Sequence, residues 1–200
     1  MKGSLIILSF FIVGAIAGYS GILPSVVLEN DFSIYILYGL MFLVGISIGH
    51  DKKALSALKS HKFKILLVPS ATIIGTLLGC ALIGVFIPRW SISECMAVGS
   101  GFGYYSLSSI FITQYKGAEL GTIALVSNII RELFTLLAVP LLVTYFGKLA
   151  PISSGGATTM DTTLPIITKY CGQQFAVIAI FHGITVDLTV PFLVTFFCHL

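Results

Sequence analysis

The residues Ser153–Thr163 read SSGGATTMDTT, a polar stretch whose only charged side chain is Asp161. Long apolar runs lie on both sides of it, Leu120–Phe146 before it and Phe175–Cys198 after it. The stretch is too polar to contact lipid, and it carries less charge than a long aqueous loop usually does. This pattern predicts a helix that is interrupted inside the protein part of a membrane bundle.

A second segment of the same kind precedes it. The run Ile92–Thr113 is interrupted by three glycines, Gly99, Gly101 and Gly103. Interrupted helices in corresponding positions of two repeats point to the substrate site of a transporter. The alternative is that both segments are plain spanning helices with small residues on their packing faces.

Composition places the whole chain in a membrane. Of its 200 residues, 56% are hydrophobic and 10% are charged, whereas soluble domains carry about 25% charged residues. The formal net charge of +3 is too small to indicate a nucleic-acid partner. We therefore predict an all-α, polytopic transmembrane bundle in contact with the lipid bilayer. The four cysteines have no CxxC spacing and are expected to be small buried apolar residues: Cys80, Cys95, Cys171 and Cys198.

The first 90 residues are predicted to form a three-helix transmembrane unit. A spanning helix needs about 20 apolar residues, and Ser4–Leu23, Ile34–Gly49 with its flanks and Ile65–Ile87 meet that requirement. Residues 50–64 contain five lysines, so the positive-inside rule predicts that this loop and the N-terminus are cytoplasmic. The expected location is the bacterial inner membrane.

Residues 91–200 contain an internal repeat at an offset of 55 residues. The matched pairs include Ser106 with Asp161, Tyr115 with Tyr170, Gly117 with Gly172, and Glu132 with Asp187. The two units, 99–146 and 154–200, each hold an interrupted segment followed by one spanning helix. If the interrupted segments are re-entrant, each unit crosses the membrane once, and its copy is inverted.

Polar residues of the Leu120–Phe146 helix share one face. Asn128, Arg131, Glu132 and Thr135 fall within an arc of about 100°. Charges at membrane depth cost a few kcal/mol each, so this stripe must face protein or a water-filled cavity. Either Arg131 and Glu132 neutralise other buried groups, or Glu132 binds a cation or a proton. We take Asn128, Arg131 and Glu132, together with Ser106 of the first interrupted segment, as candidate substrate- or proton-binding residues.

The interrupted segment around Asp161 offers oxygen ligands to a cation or an ammonium group. The neighbouring hydroxyls belong to Thr158, Thr159, Thr162 and Thr163. Alternatively, Asp161 or a nearby threonine caps a half-helix that begins near Pro165. In the last helix, Asp187 and His182 are weaker candidates because they lie about 140° apart, and a lone helical histidine is usually a packing residue.

These motifs resemble the LysO-type lysine exporter family of bacterial inner membranes. The resemblance rests on SGFGYYSLSS (Ser100–Ser109), Asn128–Glu132, GATTMDTTLP (Gly156–Pro165) and His182-Gly183, and it covers essentially the whole chain. It implies a secondary transporter that exports L-lysine and its analogues, in exchange for protons, with Glu132 and Asp161 as functional carboxylates. The family pattern has no acid at Asp187.

The resemblance also carries an expectation about partners. Usual family members begin with an additional three-helix unit. We therefore expect a small membrane protein to supply those helices, or a homo-oligomer to form. No cofactor, metal ion or nucleic acid is expected.

Two other functions use the same carboxylates. A cation/proton antiporter or channel would bind a sodium ion in place of lysine. An intramembrane aspartyl protease would need YD and GxGD motifs around its acids, but Asp161 follows Met160 and Asp187 follows Val186. We therefore do not expect an enzyme. A role in assembly alone is the remaining alternative.

Overall fold

The computed structural model describes residues 9, 12–14, 16–22, 35, 63–172 and 174–200. By internal contacts the chain divides into two units, Met1–Ser47 and Ile48–Leu200. Of the first unit, residues 12–14 and 16–19 are helical. The predicted span Ile34–Gly49 and the lysine-rich loop lie almost wholly outside the described residues. The candidate site lies entirely in the second unit.

Three helices of the described part are long and apolar enough to cross a membrane. They are α1 (Leu67–Phe86), which follows a short 3-10 turn at Phe63–Leu66, α4 (Ala118–Phe146) and α7 (Gln174–His199). Their bounds agree within three residues with the spans expected from the sequence. The predicted helical membrane fold is confirmed, and the chain is a multi-pass membrane protein.

The first interrupted segment consists of α2 (Ile92–Gly99) and α3 (Tyr105–Lys116). A capping box begins α2, because the Ser91 hydroxyl accepts from the backbone N–H of Glu94 and the Glu94 carboxylate accepts from the N–H of Ser91. The helical path breaks between the two helices, where Phe102 and Gly103 have φ of 45° and 96°. Positive φ is unfavourable for residues other than glycine, so the break is a specific local conformation.

This segment turns back on itself. Arg89, just before α2, forms an ion pair with Glu119, in the first turn of α4, at 2.6 Å. Since Glu119 comes just after α3, the segment starts and finishes at the same end of α4, and its break is the distal tip. We call residues 90–117 hairpin 1.

Residues 148–172, which we call hairpin 2, have the same form at the other end of α4. They comprise α5 (Ala150–Gly155), a 3-10 turn at Gly156–Met160 and α6 (Leu164–Cys171). The Nζ atom of Lys148, just after α4, lies 5.6 Å from the ring centre of Phe175 at the start of α7. The two arms are held together by a shared apolar core, in which Ile152 and Ile167 are fully buried.

The tips of the two hairpins meet. The backbone N–H of Ala157 donates to the carbonyl oxygen of Phe102 at 2.9 Å, and these residues are 55 positions apart. A Cβ atom at Gly156 would collide with the same carbonyl oxygen. The hairpins therefore touch at equivalent points of the predicted repeat.

Further equivalent positions behave alike. The helices α3 and α6 end at Lys116 and Cys171, 55 residues apart, and each is followed by a glycine with φ near 100°: Gly117 at 93° and Gly172 at 102°. In the spanning helices, Ala124 and Ala179 are both fully buried. These correspondences support the predicted duplication.

Candidate functional site

Two buried carboxylates lie at the centres of spanning helices. Glu132 is the middle residue of the 29-residue helix α4 and is 3% exposed. Asp187 lies near the middle of the 26-residue helix α7 and is 5% exposed. With a rise of about 1.5 Å per residue, each carboxylate is roughly 20 Å from either helix end. They are equivalent in the predicted repeat and would lie at similar depth in a bilayer.

Asn128 attaches α4 to the tip of hairpin 1. Its Oδ1 atom accepts from the backbone N–H of Gly103 at 2.7 Å, and its Nδ2 atom donates to the carbonyl of Val98 at 3.3 Å. Nδ2 also donates to the carbonyl of Ala124 at 2.9 Å. Because both ends of this buried amide are engaged, Asn128 holds the break in place. The structure thus shows a positioning role for Asn128, and its expected contact with substrate stays a prediction.

One turn further along α4, Arg131 attaches the helix to hairpin 2. Its Nε atom donates to the carbonyl of Ser154 at 2.9 Å and its Nη2 atom to that of Ser153 at 3.0 Å. Its Nη1 atom donates to the Thr76 hydroxyl of α1 at 3.3 Å. The two serine carbonyls lie at the C-terminal end of α5, where a cation is favourable. These contacts use three of the five N–H donors of the guanidinium group.

His182 is a packing residue that links α7 to its neighbours. It is fully buried, with Nδ1 at 3.2 Å from the Thr159 hydroxyl and Nε2 at 2.9 Å from the Thr72 hydroxyl. Thr159 Oγ1 also lies 2.8 Å from the carbonyl oxygens of Gly156 and Ala179. Both candidates are therefore occupied by contacts that hold hairpin 2 against α7 and α1.

Asp161 differs from the two helix-centre acids. It directly follows the 3-10 turn of hairpin 2, and it is exposed on the surface of the described residues. Its carboxylate accepts from the backbone N–H of Thr162. The N-cap of α6 is Thr163, and no side chain caps that helix, so the capping alternative for Asp161 or a threonine is not observed. Ser106, its repeat equivalent, is partly buried in the first turn of α3.

Tyr104 and Tyr105 lie at the tip of hairpin 1. The hydroxyl of Tyr104 is buried and has no hydrogen-bond partner among the described residues. The preceding residue, Gly103, has little space on either side: its N–H donates to Asn128 of α4, and a Cβ atom there would lie 3.3 Å from the Thr158 side chain of hairpin 2. Groups from α4 and both hairpins therefore meet at this tip. The sequence had singled out the acids, but it gave the tyrosines no role, although they lie inside the glycine- and serine-rich motif.

A cavity of about 300 Å³ adjoins Arg131 and Asn128 on the side facing α1 and α2. Two of the four cysteines, Cys80 and Cys95, line it and are partly buried. Cys171 and Cys198 are buried, and all four thiols are free. The expectation of buried apolar cysteines therefore holds fully for two of them, while the other two border a cavity.

Comparison with known proteins agrees with the resemblance seen in the sequence. The family model described as "Lysine exporter LysO" matches residues 8–198. The lysine exporter LysO of Escherichia coli strain K12 is 33% identical over 186 residues, which cover 93% of this chain and 61% of that protein. A protein of Haemophilus influenzae strain Rd that carries a provisional name as a lysine exporter is 34% identical over 168 residues, covering 84% of this chain and 85% of its own length.

The chain thus spans about three fifths of the length of its Escherichia coli relative. No solved structure matches it. The family is named for a transporter, in line with the expectation that the chain is not an enzyme. On the family model and the two relatives together, the chain belongs to the LysO lysine exporter family.

Proposed function

We propose that this chain is a secondary transporter, or the substrate-binding part of one, that exports L-lysine and lysine analogues in exchange for protons. The observation that carries the proposal is the pair of buried acids, Glu132 and Asp187, at the centres of two spanning helices beside two hairpins whose tips touch. Buried acids at the centres of spanning helices are costly in a membrane and mark substrate or proton pathways. The names of the relatives supply lysine as the substrate.

The contacts at the hairpin ends support an inverted topology. Hairpin 1 is held at the N-terminal end of α4 by the Arg89–Glu119 ion pair, and hairpin 2 adjoins its C-terminal end through Lys148. Because α4 is long enough to cross the membrane, the hairpins enter from opposite sides. In our proposal the chain lies in the bacterial inner membrane, with the N-terminus and the 50–64 loop in the cytoplasm and the end of hairpin 1 outside.

The substrate has a charge pattern that fits this site. Lysine carries two ammonium groups and one carboxylate. The acids of the site supply anions for the ammonium groups. The two N–H donors that Arg131 does not use among the described residues supply hydrogen bonds for the carboxylate.

Exchange with protons follows from the need to neutralise the acids. When lysine leaves the site, the carboxylates would remain as charges at membrane depth, which is unfavourable. Protons taken up from outside neutralise them and are released when cytoplasmic lysine binds. Movement of the hairpins relative to the spanning helices exposes the site alternately to the two sides.

The test is efflux of labelled lysine from lysine-loaded cells that lack their own exporter. Wild type and Glu119→Gln, which alters only an exposed ion pair, are expected to export lysine. Glu132→Gln and Asp161→Asn keep the side-chain size and are expected to lose export. If sodium rather than lysine drives proton movement in vesicles, the cation/proton antiporter is the correct function. Full export by both variants would refute the carboxylate mechanism.

The contribution of a partner stays a prediction. Expression of the chain with and without a candidate three-helix membrane protein tests it, with efflux and the mass of the purified complex as the two readouts. Full export by the purified chain alone, in monomeric form, would rule out both the partner and the homo-oligomer.

A further inference from the structure

Three buried polar atoms near the hairpin tips have no hydrogen-bond partner in the part of the chain that the structure describes. They are the hydroxyl of Tyr104, Oγ1 of Thr162 and Oδ1 of Asp187. An unsatisfied buried polar group costs about 1–3 kcal/mol, and more when it is charged, so native proteins contain few of them. Three together indicate a place where a ligand supplies the missing hydrogen bonds.

Backbone contacts put these atoms in one region. On α7, a Cβ atom at Gly183 would lie 2.7 Å from the backbone nitrogen of Met160, so hairpin 2 crosses the helix there. Asp187 is four residues further on, on the same helix face, and Thr162 follows Met160 by two residues. Tyr104 follows Gly103, where a Cβ atom would lie 3.2 Å from the carbonyl oxygen of Gly155, so the tip of hairpin 1 packs against hairpin 2 as well.

The chemistry of the three atoms is that of a cation site. The carboxylate oxygen only accepts hydrogen bonds, and each hydroxyl oxygen can accept them. A primary ammonium group has three N–H donors, which equals the number of unpartnered oxygens. Asp187 is only 5% exposed. Because water screens charges weakly at such a buried position, a cation bound there would interact strongly with the carboxylate.

We propose that Tyr104, Thr162 and Asp187 bind the side-chain ε-ammonium group of lysine. The inference rests on the proposed function and adds a subsite to it. The zwitterionic end of lysine then lies toward α4, where the adjacent Arg131 and Glu132 offer one cation and one anion. The ε-ammonium end needs acceptors alone, which is what the three atoms provide.

A purely structural role for Asp187 makes the opposite prediction for stability. A structural carboxylate is surrounded by donors, and its loss leaves them unsatisfied. Asp187 Oδ1 has no donor among the described residues. Asparagine has nearly the same shape as aspartate but carries no charge. The ligand-free Asp187→Asn protein is therefore expected to melt at the same temperature as wild type or higher.

The experiment measures binding of two ligands to the full chain in lipid nanodiscs. L-Lysine and L-norleucine share a carbon skeleton, but norleucine lacks the ε-amine. Asp187→Asn is expected to weaken lysine binding by about 10- to 100-fold, the range for a lost charge-assisted hydrogen bond. The variant should then bind lysine no better than wild type binds norleucine.

Tyr104→Phe removes one neutral acceptor and is expected to weaken lysine binding by about 2- to 10-fold. Glu119→Gln is the matched control and should bind lysine like wild type.

The outcomes separate this inference from the proposed function. If wild type binds and exports lysine while Asp187→Asn binds it equally well, the subsite is refuted and the exporter proposal stands. A variant that weakens lysine and norleucine by the same factor places Asp187 at the α-amino end, which also refutes the subsite. A clearly lower melting temperature for ligand-free Asp187→Asn assigns the residue a structural role instead. If wild type binds no lysine, both proposals fall.

Discussion

The contact between the hairpin tips makes a sharp prediction for Gly156→Ala. Gly156 has φ of 60° and ψ of −129°, a conformation that only glycine adopts without strain. An alanine Cβ would collide with the Phe102 carbonyl oxygen, which accepts the hydrogen bond from Ala157. Because that oxygen belongs to the backbone, it cannot move aside without displacing the tip of hairpin 1.

Gly172→Ala is the matched control and allows the magnitude to be worked out. Gly172 also has positive φ, 102°, but nothing lies within 4 Å of its would-be Cβ. In both variants, an alanine with positive φ introduces a similar backbone strain of about 1–3 kcal/mol. Gly156→Ala additionally loses one hydrogen bond, about 0.5–1.5 kcal/mol, and introduces overpacking, about 1–3 kcal/mol. The expected difference between the two variants is therefore about 1.5–4.5 kcal/mol.

Both variants are compared in lipid–detergent micelles by SDS titration, and in cells by lysine efflux. Gly156→Ala should unfold at a clearly lower SDS fraction than Gly172→Ala and should export little lysine. Gly172→Ala should retain export, because its end of hairpin 2 is far from the site. Equal stability and equal export would show that the tips do not touch in the folded protein, and the proposed site would then lose its basis.

Three further predictions test the parts of the site separately. In a chain whose four cysteines are replaced by alanine, Arg89→Cys with Glu119→Cys should be joined by a short bismaleimide cross-linker, which spans the distance that the two long side chains bridge in the ion pair. Arg89→Cys with Lys148→Cys should not be joined, because α4 separates them by about 40 Å; cross-linking of this second pair would contradict the opposed hairpins. Asn128→Ala should lower stability by about 1–3 kcal/mol in the same SDS titration, because Gly103 N–H loses its acceptor; an unchanged midpoint would mean that the amide does not hold the break. Arg131→Lys keeps the charge but cannot hold three acceptors in a plane, so melting temperature and efflux should both fall, whereas wild-type behaviour would show that charge alone is needed.

The site combines firm anchoring with unsatisfied groups. Asn128, Arg131 and His182 have partners that fasten the hairpins to α4, α7 and α1. The oxygens of Tyr104 and Asp187 that have no partner among the described residues lie on elements that these contacts hold. In our proposal, a ligand that supplies the missing hydrogen bonds binds there with little further ordering of the protein.

Much of the fold could be predicted from the sequence. Hydropathy alone placed α1, α4 and α7 to within three residues, because a bilayer requires apolar helices of a set length. The glycine-rich runs correctly marked the two interruptions. The candidate acids were also identifiable, since a charge in an apolar run is costly in a membrane.

Roles of individual side chains could not be predicted in this way. Asn128, Arg131 and His182 have partners in other elements that the sequence did not indicate, and their expected roles in binding stay predictions. Tyr104 had no role in the sequence interpretation, but its buried hydroxyl has no partner among the described residues. Hydropathy and spacing follow from short-range chain properties, so the sequence determined the helices and their breaks. Which of the described oxygens has a hydrogen-bond partner and which has none depends on contacts between residues far apart in the chain, and only the tertiary structure decided that.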